Sequence, residues 1–311
     1  MNYVFLLFEA AIILLALSIL YIPMEKVFPG KRGQKVFRKR WLVDLCFFLG
    51  QYLFLGGVVA IGIDYIADFL DFIVPLKFRI AVASQPFYLQ IIEVVILSDF
   101  FIYWAHRLQH KVNFLWRFHK VHHSAKHLDW LAAHREHPLD SIYTIGIINL
   151  PAMILGFPVE SIAILVAFRG FWAIYIHSNV RLPLPFLRTI IGSPELHHWH
   201  HDLERDRGNY ANISPLMDIL FGTYTCPDHE PENFGIKEEF SENYLGQLIQ
   251  PVLPDSIWEK MQSKRSIDLI INHFQPPTPS ITEEQRNNPD DSKATIHQLP
   301  EHRNPTNVPH N

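Results

Sequence analysis

Apolar residues run almost unbroken through several stretches of the first half of the chain and then give way to ordinary polar sequence. Tyr3–Ile22 is apolar apart from Glu9 and Ser18, long enough to cross about 30 Å of hydrocarbon as a helix. It has no basic start and no small-residue cleavage site, so it reads as an anchor rather than a signal peptide. A second stretch, Leu42–Ile63, contains the Gly56-Gly57 pair, which permits close helix contact. The third, Pro86–Ala105, holds Glu93 and Asp99. Ile142–Phe157 and Val159–Ile176 follow, broken by Gly156-Phe157-Pro158. Each of these is short for an independent crossing, so the two read as a hairpin that dips in and returns, or as two tilted spans. The pattern predicts an all-α protein, a multi-pass helical membrane bundle of about four to five segments.

Charge orients the bundle. Lys26, Lys31, Arg32, Lys35, Arg38, Lys39 and Arg40 lie between the first two stretches, opposed only by Glu25. Basic loops stay cytoplasmic. The loop with Asp64, Asp68, Asp71, Lys77 and Arg79 is then outside, and the third span delivers His106 to the cytosolic side. Arg107, Lys111, Arg117, Lys120, Lys126 and Arg135 follow on that side. A returning hairpin brings His177 and His197–His201 to the same face. A cytosolic, histidine-rich helical cap is expected.

Composition narrows the classes. The chain has 311 residues, of which 49% are hydrophobic, and its mean hydropathy of +0.06 averages two unlike halves. A net charge of −4 gives nucleic acid no reason to bind. Two cysteines, Cys46 and Cys226, exclude a disulfide framework or a thiolate metal site. From Gln275 to Asn311, prolines alternate with Asn, Asp, Glu and Ser, a composition that predicts disorder.

The chemistry sits in three histidine clusters: His106-Arg-Leu-Gln-His110, His119-Lys-Val-His122-His123 and His197-His198-Trp-His200-His201. Residues three and four apart share a helix face, so each cluster presents two or three imidazoles together. Neutral imidazole is a ligand for Fe, Zn, Cu and Ni, and so many on converging faces point to a multi-metal site. Ser193-Pro194-Glu195 reads as an N-cap, a first helical proline and an acid near the positive helix end. His198 falls between ligand-spaced positions and points elsewhere. His127 and His134 read as satisfied core residues, and His229, His273, His297, His302 and His310 as solvated. Arg107, Arg117 and Lys120 suit lipid headgroups. Glu93 and Asp99 are costly inside a span. Asp99, two turns before His106, is placed to accept a proton from a ligand histidine.

The run Tyr103-Trp-Ala-His106-Arg-Leu-Gln-His110 through Leu115-Trp116-Arg-Phe-His119-Lys-Val-His122-His123-Ser124 resembles the fatty acid hydroxylase/sterol desaturase superfamily. So do Arg135-Glu-His137-Pro138-Leu-Asp140, Ile176-His177-Ser-Asn179, His197-His-Trp-His200-His201, Gly208-Asn-Tyr210 and Leu220-Phe221-Gly222-Thr223-Tyr224. One departure is Met217, where many members carry tryptophan. The resemblance implies a non-haem centre of two iron ions, held by His106, His110, His119, His122, His123, His177, His197, His200 and His201, with His137 as a further ligand. It implies O2 as co-substrate, two electrons from an external donor, and hydroxylation of a lipid C–H bond (fatty acyl, sterol or related). Desaturation of a sterol-like ring is the alternative.

The chain lacks the haem-binding stretch of a fused cytochrome b5 domain. A separate cytochrome b5-like protein, ferredoxin or reductase is therefore expected to dock on the basic face. The expected organisation is 1–85 membrane segments and basic loop, 86–225 catalytic domain, 226–274 cytosolic segment and 275–311 tail. A bacterial inner membrane is expected, with the endoplasmic reticulum as alternative. A zinc-dependent membrane hydrolase and a non-enzymatic metal-binding protein are the readings of other classes.

Overall fold

Three helical stretches are long and apolar enough to cross a membrane: α1 (Tyr3–Val27), a rod spanning Trp41–Leu70, and α5 (Phe87–Lys111). The rod comprises α2 (Trp41–Gly50), a wide turn at Gln51–Leu55 and α3 (Gly56–Ile73). It is followed by α4 (Leu76–Ala83). The structure, a computed structural model, describes residues 3–258, and every regular element among them is helical. The tail expected at 275–311 lies outside the described residues, as does the end of the 226–274 segment.

The long helices turn bare apolar surface outward. On α1 only Ala10 and Tyr21 are buried, while Phe5, Phe8, Leu15 and Ile19 are exposed; Tyr65, Phe69 and Phe72 do the same on α3. Patches of this extent are covered by a partner or by lipid. Together with three helices long and apolar enough to cross a bilayer, they make this a membrane protein. A Cβ on Gly56 would meet only Gln51 O of its own rod, at 3.7 Å, so Gly56 does not serve the close helix contact expected of it.

Helix α5 is the central post. It continues six residues past the apolar span's end at Ala105, so His106 and His110 ride on the same helix as the span. Against it pack α6 (Asn113–His123), α7 (Pro138–Ile154) and α8 (Val159–His177). The last two are shorter apolar helices. Between them Gly156 adopts φ +80°, a conformation that favours glycine. Val82, Val94, Ala152, Phe157, Ile162 and Leu165 form the core beneath this turn. α8 packs on α9 (Pro194–His200), and α10 (Leu216–Leu220) and α11 (Tyr244–Ile249) complete the described helices.

The basic loop behaves differently from expectation. Arg38 turns inward and is 5% exposed. Its guanidinium bridges Asp44 at 2.7 Å and Asp129 at 2.6 Å, and Asp44 also binds Arg135 Nε at 2.5 Å. This buried chain ties the loop and α2 to the segment after α6. Some of the other cations expected to form an open basic face are also paired. Lys111 meets Asp206 (2.9 Å), Lys120 meets Glu238 (2.9 Å) and Lys126 meets Glu242 (3.9 Å). Acids from residues 202–242 thus neutralise part of that surface, although each exposed pair is worth at most about 1 kcal/mol.

Candidate metal centre

Helix ends bring nine imidazoles together. α5 supplies His106 and His110, α6 supplies His119, His122 and His123, and α8 ends on His177. α9 supplies His197 and His200, with His201 at its C-terminal cap. They fall into two groups, His106, His110, His119, His123 and His200 in one and His122, His177, His197 and His201 in the other. In each group the ligand-capable nitrogens lie within 4.8 Å of one another. None of the nine is more than 9% exposed. The rings of His123 and His201 stack 4.3 Å apart and join the groups.

The hydrogen bonds decide which nitrogen faces inward. His106 Nδ1 pairs with Tyr210 O (2.9 Å), His122 Nδ1 with Arg135 O (3.1 Å), His177 Nδ1 with Ala173 O (2.6 Å) and His200 Nδ1 with Gly208 O (2.8 Å). His110 Nδ1 pairs with Arg205 O. His119 Nδ1 pairs with Asp140 Oδ2 at 2.9 Å. A carbonyl or carboxylate can only accept, so each Nδ1 carries the proton and each Nε2 presents a lone pair.

Four of those Nε2 atoms face one another, His106 and His119 at 3.1 Å and His122 and His177 at 2.9 Å. His197 Nε2, whose tautomer no Nδ1 partner fixes, lies 2.8 Å from that of His177 and 3.0 Å from that of His201. Nε2 of His110, His123 and His200 is buried without a partner, as is Nδ1 of His197 and His201. Opposed lone pairs at this range repel, and unpaired buried acceptors cost about 1–3 kcal/mol each. A cation within each group relieves both defects, so the residues fit metal ions. Burial, reinforced by neighbouring imidazoles, holds His119, His122, His123, His197, His200 and His201 well below the ordinary histidine pKa. They stay neutral and keep their lone pairs available.

His137 joins neither group. Its Nε2 pairs with Leu248 O (3.1 Å) and its Nδ1 accepts from Leu139 N (3.1 Å), capping α7 ahead of Pro138. Backbone groups occupy both ring nitrogens, which corrects its expected place among the ligands. His198 also stands apart, bonded to Glu230 Oε2 at 2.6 Å and Ser178 O at 3.1 Å. Asp99 does not reach His106; Arg169 Nη2 holds it at 2.6 Å and Ser214 N at 3.2 Å. Ser193 is the N-cap residue of α9, but its side chain makes no capping bond.

The carboxylate that does orient a clustered histidine is Asp140, on α7. Gln109, inside the first cluster, donates to Asp140 Oδ1 at 2.7 Å and steadies it against His119. Sequence spacing shows no link between Asp140 and His119, which meet only when α7 packs on α6. The 205–210 loop supplies three of the orienting carbonyls. Gly208 has φ +92°, and a Cβ there would come within 2.0 Å of Thr223 O, so only glycine brings its carbonyl to His200. Asp140→Asn is expected to lower metal occupancy about 10–100-fold, measured as metal per purified chain against free-metal concentration. Wild-type occupancy would remove Asp140 from the site.

An all-helical membrane protein with a buried imidazole site in two parts is the class that this fold and geometry define. Residues 91–223 match the family described as Fatty acid hydroxylase, and over that segment the chain is similar to members of the fatty acid hydroxylase/sterol desaturase superfamily. The chain is 32% identical to an ornithine lipid hydroxylase of Rhizobium tropici over 169 residues, 53% of this chain and 51% of the relative. It is 35% identical to the alkylglycerol monooxygenase of Homo sapiens over 135 residues, 42% and 30% of the two chains. It is 31% identical to a Delta(7)-sterol 5(6)-desaturase of Gibberella zeae over 139 residues, 43% and 37%. The matches thus span about half or less of these relatives' lengths. No solved structure matches the chain.

Proposed function

We propose that this protein is a multi-pass membrane di-iron oxygenase that hydroxylates a lipid C–H bond. One observation carries the reading: two buried groups of facing imidazole lone pairs lie in a domain shared with lipid hydroxylases and monooxygenases. His106, His110, His119, His123 and His200 would hold one iron, and His122, His177, His197 and His201 the other. Bound iron supplies the one-electron chemistry that O2 and an unactivated C–H bond require. R–H, O2, two electrons and two protons give R–OH and one water.

The chain's residues do the rest. Acceptors at Nδ1 lock the rings of His106, His110, His119, His122, His177 and His200 in the tautomer that leaves Nε2 free to bind. Neutral imidazoles leave the centre's positive charge uncompensated, unlike the carboxylate-rich sites of soluble helical bundles. Burial excludes water from the reacting carbon. Residues 86–225 form the catalytic domain in this reading, and the basic 26–40 loop puts the histidines on the cytosolic face of the membrane. The electrons come from a separate cytochrome b5-like protein, ferredoxin or reductase.

Metal analysis of the purified protein is expected to find one iron per histidine group and turnover that requires O2. Stoichiometric zinc with activity surviving anaerobiosis would overturn the reading. The match to a sterol desaturase supports a second outcome on the same site, loss of two hydrogens with formation of two waters. Product mass separates them: hydroxylation adds one oxygen, whereas desaturation removes two hydrogens.

A further inference from the structure

A cavity of about 420 Å³ lies between the C-terminal third of α1, the end of α8 and the 182–193 loop. Leu20, Tyr21, Phe171, Tyr175, Leu187 and Ile191 give it an apolar wall. Among its lining residues Leu20, Phe171 and Leu184 are also exposed on the surface, and the first two belong to apolar helices. The cavity is therefore continuous with surface that lipid covers.

Its wall toward the histidines is polar. Gly192 and Ser193 line this cavity and also a void of about 10 Å³ that touches Leu196 and His197. That void holds about one water-sized sphere. Ser193 precedes α9, one turn before His197, whose N–H donates to Ser193 O at 3.1 Å. Ser193 Oγ is buried with no hydrogen-bond partner, and so is Trp172 Nε1. The indole nitrogen lies 3.3 Å from where a Cβ on Gly192 would sit, so it stands beside the Gly192–Ser193 segment that carries the other unpartnered group. An indole N–H can only donate, and a hydroxyl donates readily. Arg188 and Glu195, 3.6 Å apart in the same lining, offset each other's charge.

We propose that this cavity seats one lipid end-on, with its hydrocarbon chain running outward to the bilayer and an uncharged oxygen at its inner end. A hydroxyl, ether or carbonyl oxygen there accepts from Trp172 Nε1 and Ser193 Oγ. Carbons close to that oxygen then lie nearest His197, which directs oxygenation to the oxygen-bearing end of the lipid rather than its far terminus. This placement rests on the reading of the histidines as an oxygenase centre.

The test is tryptophan quenching in the full chain in detergent, with 9,10-dibromooctadecanol and 9,10-dibromooctadecane as probes. The alcohol is expected to quench saturably, and Trp172→Phe should remove most of that component. The hydrocarbon should bind at least about tenfold more weakly, since it leaves both donors unpaired. Because Ser193 makes no capping bond, Ser193→Ala should fold, weaken the alcohol about threefold or more and leave the hydrocarbon unchanged. Leu187→Phe should weaken both probes by filling the cavity. Equal affinity for the two probes, or saturable quenching unaltered in Trp172→Phe and Leu187→Phe, would overturn the proposal. Saturable binding in a protein that holds no iron would sink the oxygenase reading alone. Its absence in iron-loaded protein would sink the cavity alone.

Discussion

His200→Ala is expected to abolish turnover while leaving the protein inserted in the membrane. His200 sits among four other imidazoles, 4.3 Å from the ring of His106 and 4.7 Å from that of His123. Its Nε2 is one of the unpartnered buried nitrogens, so its removal deletes a ligand outright. The loss should exceed the about 10–100-fold effect of disturbing an orienting group such as Asp140. Insertion depends on the apolar surfaces of α1, the α2–α3 rod and α5, and His200 meets α5 only at its histidine end, through His106 and His110. Removing one of several crowded lone pairs should also leave the metal-free protein as stable as wild type, or slightly more so. Product formation and iron content in purified membranes decide the matter. Wild-type turnover would exclude the third cluster from the centre.

Asp44→Ala should destabilise the fold more than any exposed charge change. Asp44 is fully buried and holds Arg38 at 2.7 Å and Arg135 at 2.5 Å. Stranding a buried charge costs about 3–5 kcal/mol, equivalent to at least about 6 °C in Tm for a domain of this size. The effect should reach the metal centre, because the carbonyl of Arg135 orients His122. Metal bound by His122, His177, His197 and His201 should therefore fall along with Tm. Unfolding followed in detergent, with and without iron, measures both. A variant that melts with wild type would show that the chain of ion pairs carries no net stability.

Legibility from sequence divides along the range of the interactions. The apolar runs announced the long helices because hydrophobic length is a local property, and α5 extends past the apolar run to Lys111. The histidine clusters were legible for the same reason, since spacing of three and four places side chains on one face. Asp99 shows the limit. It stands on the face of α5 that leads to His106, yet Arg169 of α8 captures it, while Asp140 of α7 takes the orienting role. His137 had the right chemistry and neighbourhood in sequence but spends both nitrogens on backbone groups at the start of α7. Arg38 looked like one more topology charge and is instead the centre of a buried chain.

By itself the sequence determined an all-helical membrane protein and which histidines share helix faces, because both follow from periodicity along one segment. Only the tertiary structure decided how nine imidazoles sort into two groups, and which carbonyl or carboxylate orients each bonded ring. It also decided which buried charges pair. Those choices depend on groups brought together by helix packing from distant parts of the chain, and no local spacing encodes them.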